Sequence, residues 1–97
     1  MNTEYIYLLV DEVSIKGEIT TSHHAFSTEK KAKQALADLK SHYDKIFEER
    51  GFLSDGVDEM NETSAYDSFE GNEHYYFIDI KKLPIDSELI LWTFFNK

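Results

Sequence analysis

The apolar residues Ala32, Ala35, Leu36, Leu39, Tyr43, Ile46 and Phe47 follow one another in steps of one, three and four, a spacing that an α-helix gathers onto one face. Lys30, Lys31, Lys33, Asp38, Lys40, Asp44, Lys45 and Glu48 take the rest of the helical surface, so the stripe must be covered by a second apolar layer elsewhere in the chain. Ser27 or Thr28 supplies an N-cap, Glu29 sits in the first turn near the positive end of the dipole, and Arg50 and Gly51 form a stop with Gly at C′. The spacing predicts a helix over 28–50.

The second layer reads as a sheet. Residues 5–10 are aromatic, aliphatic and β-branched, and the pattern continues through Val13 and Ile15. Lys16 and Gly17 then read as a turn and 18–26 as a return strand, with Gly17 at positive φ. After the helix, 64–69 reads as a strand, Gly71 and Asn72 as a turn, and 75–82 as a further strand ended by Leu83 and Pro84. Residues 88–95 are apolar on both faces and offer a C-terminal strand or cover. The expectation is a single α+β domain over 1–97: an antiparallel sheet of four to five strands with one long helix on one face, in the order β-β-α-β-β. With 97 residues and no cysteine, the fold rests on its core without disulfides, and Cys-based zinc sites and thiol nucleophiles are excluded.

The step Phe26-Ser27-Thr28-Glu29-Lys30-Lys31-Ala32, together with Tyr76-Phe77-Ile78-Asp79-Ile80 and the following Leu83-Pro84-Ile85-Asp86, resembles a group of small bacterial and phage-encoded domains of unknown function. In that group a β-hairpin enters a helix through a Phe-Ser-Thr-like step. The resemblance covers 5–50 and 74–86; it implies the fold and carries over no catalytic residue. The acidic stretch and the apolar tail depart from it.

Function is constrained mainly by charge. Of the formal charge of −9, seven units fall in residues 51–73, which hold Asp55, Asp58, Glu59, Glu62, Asp67, Glu70 and Glu73 and neither Lys nor Arg. Asp44, Glu48 and Glu49 add carboxylates close to the negative end of the helix dipole, where helix stability does not favour them. One reading makes these ten residues a surface for a basic protein partner; the other makes 51–73 a solvated loop. Direct binding to nucleic acid is disfavoured, since it needs clustered Lys and Arg. No apolar run is long enough to span a membrane and the first residues lack a basic leader, so the cytoplasm is the expected location.

No catalytic residue, metal site or cofactor is expected. From Asp55, the EF-hand positions 1, 3, 5 and 6 hold Asp55, Val57, Glu59 and Met60, which is not a calcium loop. His23 and His24 are strand neighbours and point to opposite faces, His42 borders the helix's apolar face, and His74 begins a strand. Glycine-rich nucleotide loops and a Gly-x-Ser-x-Gly elbow are absent. A rival to the interaction module is a small enzyme or metal-binding domain built on His23, His24 or His74 with nearby carboxylates. Both sheet faces are apolar, so Tyr5, Tyr7, Tyr75, Phe77, Trp92 and Phe94 are candidates either to close the core or to form a homodimer.

Overall fold

The computed structural model describes residues 5–84 as β1 (Tyr5–Ile15), β2 (Glu18–Phe26), α1 (Glu29–Glu49), β3 (Ser54–Met60), β4 (Ser64–Phe69) and β5 (His74–Pro84). All strand pairs are antiparallel, and the five strands form one sheet in the order β2-β1-β5-β4-β3. The α+β class holds, with one helix and an antiparallel sheet, but the element order is β-β-α-β-β-β. The additional strand is β3, in the first part of the acidic stretch, where the sequence predicts no strand and leaves a partner surface and a solvated loop as alternatives. Residues 88–95, considered above for a C-terminal strand, lie outside the described residues, as do Trp92 and Phe94.

The β1–β2 turn places both Lys16 (φ 54°) and Gly17 (φ 81°) at positive φ, the type I′ geometry that matches the twist of a two-residue hairpin. Lys16 is an unusual residue for that conformation, and its backbone N–H is held by the Nδ1 atom of buried His74, 2.9 Å away. Nine consecutive pairs then run from Ile15↔Glu18 to Tyr7↔Phe26.

Helix α1 begins where Thr28, in extended conformation, accepts a hydrogen bond from the Lys31 N–H through its Oγ1. It ends in a Schellman motif: the Gly51 N–H reaches the Glu48 carbonyl, the Phe52 N–H reaches the Phe47 carbonyl, and Gly51 takes φ 70°. The rings of Phe47 and Phe52, 5.7 Å apart, supply the accompanying apolar contact.

Leu36, Tyr43 and Phe47 of α1 pack on Leu9 of β1, Tyr76 and Ile78 of β5, and Ala65 and Phe69 of β4. Phe47 stacks on Phe69 at 4.6 Å and 11°. Cross-strand pairing gives the same face from the register, since Leu9↔Ile80, Asp11↔Ile78 and Val13↔Tyr76 are opposed on β1 and β5. The other face of the sheet carries Val10, Glu12, Tyr75, Phe77 and Asp79.

Candidate functional site

Strand β3 is held in place by its carboxylates. Asp55 accepts the Gly71 N–H at 2.7 Å through one oxygen, and the Asn72 N–H at 2.8 Å and the Ser68 hydroxyl at 2.9 Å through the other. Led by the bond from Gly71, these contacts outweigh the opposing effect of burial and hold the Asp55 carboxyl below the usual carboxylate range. The Leu53 N–H donates to Glu70 Oε1, and the Glu70 N–H donates to the Leu53 carbonyl. Helix end, β3 entry and β4–β5 turn are therefore tied together. At the other end of β3, Asn61 Oδ1 accepts from the Thr63 and Ser64 N–H groups and closes the β3–β4 turn.

Lys40 links α1 to this edge. Its side chain, 13% exposed, reaches Asp44 at 2.8 Å and Asp58 of β3 at 3.0 Å, and its Nζ lies 6.0 Å from the centre of the Tyr76 ring. Burial alone would lower the Lys40 pKa, but hydrogen bonds to Asp44 and Asp58 outweigh it and hold the ammonium above its ordinary range. Asp44 also accepts the Tyr76 hydroxyl at 2.7 Å. Asp67, on the helix side of β4 and 6% exposed, has its carboxyl pushed up by burial, with Asp58 and Asp44 adding repulsion. A second polar link crosses the same interface, where buried Asp11 accepts the hydroxyls of Tyr43 and Ser22. Burial, then the bond to Asp11, raises the Tyr43 phenol.

The ten carboxylates of the proposed acidic surface thus divide. Asp67 is buried, Asp55 is occupied by the β4–β5 turn, and Asp44 is shared between Lys40 and Tyr76. Glu48, Glu49, Asp58, Glu59, Glu62, Glu70 and Glu73 are exposed, with Glu62 paired to Lys33 at 3.2 Å and Asp58 to Lys40. They lie along the β3 edge, on the turns that flank it and at the C-terminal end of α1.

The aromatic candidates do not share one face. Leu9, Tyr7 and Tyr5 alternate onto the helix side, where Lys82 Nζ sits 4.2 Å from the Tyr5 ring centre. Tyr75 and Phe77, opposite Ser14 and Glu12, lie on the other face, with Phe77 42% exposed and the Tyr75 hydroxyl donating to Glu12 at 2.5 Å. The histidines also disperse. His23 lines a depression of about 300 Å³ on the open face with Val10, Glu12, Phe77 and Asp79. His24 and His42 border a groove between β2 and α1. His74 is buried against Phe52, with ring centres 3.8 Å apart. Among the described residues no three His, Asp or Glu side chains are grouped to hold a metal ion, and no helix is long and apolar enough to cross a membrane.

Sequence reasoning missed the groove. It is about 340 Å³, lined by Leu9, Phe26, Ala35 and Leu39 with His24, Asp38 and His42 around it. Its signal was the width of the helix stripe, because Ala35 and Leu39 extend the apolar face towards β2 beyond the central Leu36, Tyr43 and Phe47. Comparison of the chain with family models, curated proteins and solved structures gives no match.

Proposed function

We propose that the protein is a non-enzymatic interaction module that engages a basic protein partner through the carboxylates of its β3 edge. The observation that carries this reading is the attachment of that edge. Exposed Glu59 lies on, and exposed Glu62, Glu70 and Glu73 lie on the turns beside, a strand fixed by the Asp55 clamp and the Lys40–Asp58 link, so their charges are presented from a defined scaffold. Charges fixed in position steer a partner and set its register at a smaller ordering penalty than charges on a free loop.

The rival reading, a small enzyme or metal-binding domain, needs the candidate histidines and carboxylates to converge in one cleft. His23 lies with Glu12 and Asp79 on the open face, His24 with Asp38 and His42 in the groove, and His74 against Phe52, and this dispersal supports the module instead. Small bacterial or phage-encoded domains remain the group the chain resembles.

The test is association with proteins captured from the native cell, compared with Glu59, Glu62, Glu70 and Glu73 all changed to Gln. Capture of a basic protein that weakens steeply with added salt and is lost in the variant is the expected result. Undiminished capture by a folded variant at low salt overturns the reading.

A further inference from the structure

The two edges of the sheet are built differently. Strand β3 carries the defences expected of an exposed edge: a register shift between Ser54 and Asp58, Gly56 at φ 78°, and the charges of Asp55, Asp58 and Glu59. Strand β2, at the other edge, has neither a bulge nor a glycine at positive φ within it, and its single charge is Glu18 at its start. It pairs with β1 over nine residues without a bulge, and from Ile19 to Phe26 it contains no Pro, Lys, Arg, Asp or Glu. Among the described residues it has a strand neighbour on one side only. The two-residue turn closes on the hydrogen-bonded pair Ile15↔Glu18, so Ile19, Thr21 and Ala25 turn their backbone N–H and C=O groups towards the outer edge.

The groove lies along the same edge. A strand added beside β2 would place alternate side chains under α1, against Leu39, Ala35 and Phe26, and its backbone would meet the outward groups of Ile19 and Thr21. Ile19 itself is 58% exposed on the opposite face. Backbone pairing and an apolar recess therefore coincide on one border of the molecule.

We infer that this border is the interface with a second copy of the chain, joined through antiparallel pairing of the two β2 strands into one ten-stranded sheet. Charge selects the occupant. A net −9 on each copy opposes most ways of bringing two copies together, but pairing through β2 sends the two acidic β3 edges to the far ends of the sheet. Nine strand spacings separate them by roughly 43 Å, several times the screening length of about 8 Å at physiological ionic strength. At the seam, the 19–26 segments bring no formal like charges opposite each other. The arrangement is isologous and closes at two copies. It uses the edge remote from the acidic surface and does not depend on the role proposed for that surface.

Sedimentation equilibrium from micromolar to near-millimolar concentration, combined with residue-resolved amide exchange, tests the inference. The expected result is a doubling of mass, accompanied by slowed exchange at the Ile19 and Thr21 amides. Thr21→Pro removes an outward N–H while leaving the β1 ladder intact, and is expected to give a monomer with the native circular dichroism spectrum. If that variant fails to fold, the pair Ile19→Lys and Thr21→Lys, which sets like charges across the seam, serves the same purpose. A protein that stays monomeric throughout overturns the inference. So does a dimer in which the Ile19 and Thr21 amides exchange as in the monomer, or one that is dissociated by Phe77→Lys but not by the β2 variants, since its interface is then the open face.

Discussion

Replacing Lys40 by Met removes the cation that holds α1 to the acidic edge while keeping most of the side chain's apolar length. At about 4 Å and an effective dielectric near 20, a unit charge pair is worth about 4 kcal/mol before desolvation, against about 1 kcal/mol in water. Asp44 and Asp58 are 39% and 63% exposed, which places both pairs nearer the water limit, and part of the gain offsets the desolvation of an ammonium that is 13% exposed. The net loss for Lys40→Met should be about 2 kcal/mol, including its weak contact with the Tyr76 ring. Urea denaturation of native protein, Lys40→Met, Asp58→Asn and the double variant isolates the link between helix and edge as a double-mutant coupling. The expected coupling is about 1 kcal/mol, between the values for surface and buried pairs. Additive single effects, or a Lys40→Met variant more stable than native, would refute the claim that this ion pair fastens β3 to the helix.

Phe47 has no exposed surface and stacks on Phe69, so Phe47→Ala should lower stability by about 3 to 5 kcal/mol while Lys45→Ala changes it by less than about 0.5 kcal/mol, both read by chemical denaturation. The Asp67 carboxyl is raised on folding, so it favours the folded state below its unfolded pKa and loses that contribution as pH rises through the folded value. Asp67→Asn should therefore be more stable than native at pH 7, with the advantage fading as the pH falls through the carboxylate range. Asp55 has the opposite sign: its lowered carboxyl stabilises the fold above the ordinary carboxylate range and releases that stability as acid protonates it. Asp55→Asn should speed amide exchange at Gly71 and Asn72 at neutral pH, and equal protection in both proteins would remove the clamp from the account.

The helix was legible because its signals are local: an apolar stripe, Thr28 at the cap and Gly51 at the stop all lie within one stretch of chain. The hairpin was legible for the same reason, although Lys16 joins Gly17 at positive φ and has its N–H bonded by His74, far away in sequence. Strand β3 was missed because Ser-Asp-Gly-Val-Asp-Glu-Met has low strand propensity. What makes it a strand is long-range, namely pairing with β4 and the partners of Asp55 and Asp58. Parity along each strand was read from sequence, but the register of β1 against β5 was not. Tyr5 and Tyr7 were therefore grouped with Tyr75 and Phe77, which occupy the other face. The carboxylates were visible as a group, whereas the engagement of Asp44, Asp55 and Asp67 within the fold depends on tertiary contacts that spacing does not carry.

The most direct measurement of the central claim compares two variants of equal net charge. In one, Glu59, Glu70 and Glu73 become Gln; in the other, the same three-charge change is made at Glu12, Glu18 and Asp38, away from the β3 edge. Association rates with a captured basic protein are measured against ionic strength for native protein and both variants. A fixed acidic edge predicts that the first variant loses most of the rate at low salt and that the second stays close to native, with the three converging at high salt. Equal slowing in both variants would mean that net charge alone governs the encounter, contradicting the account.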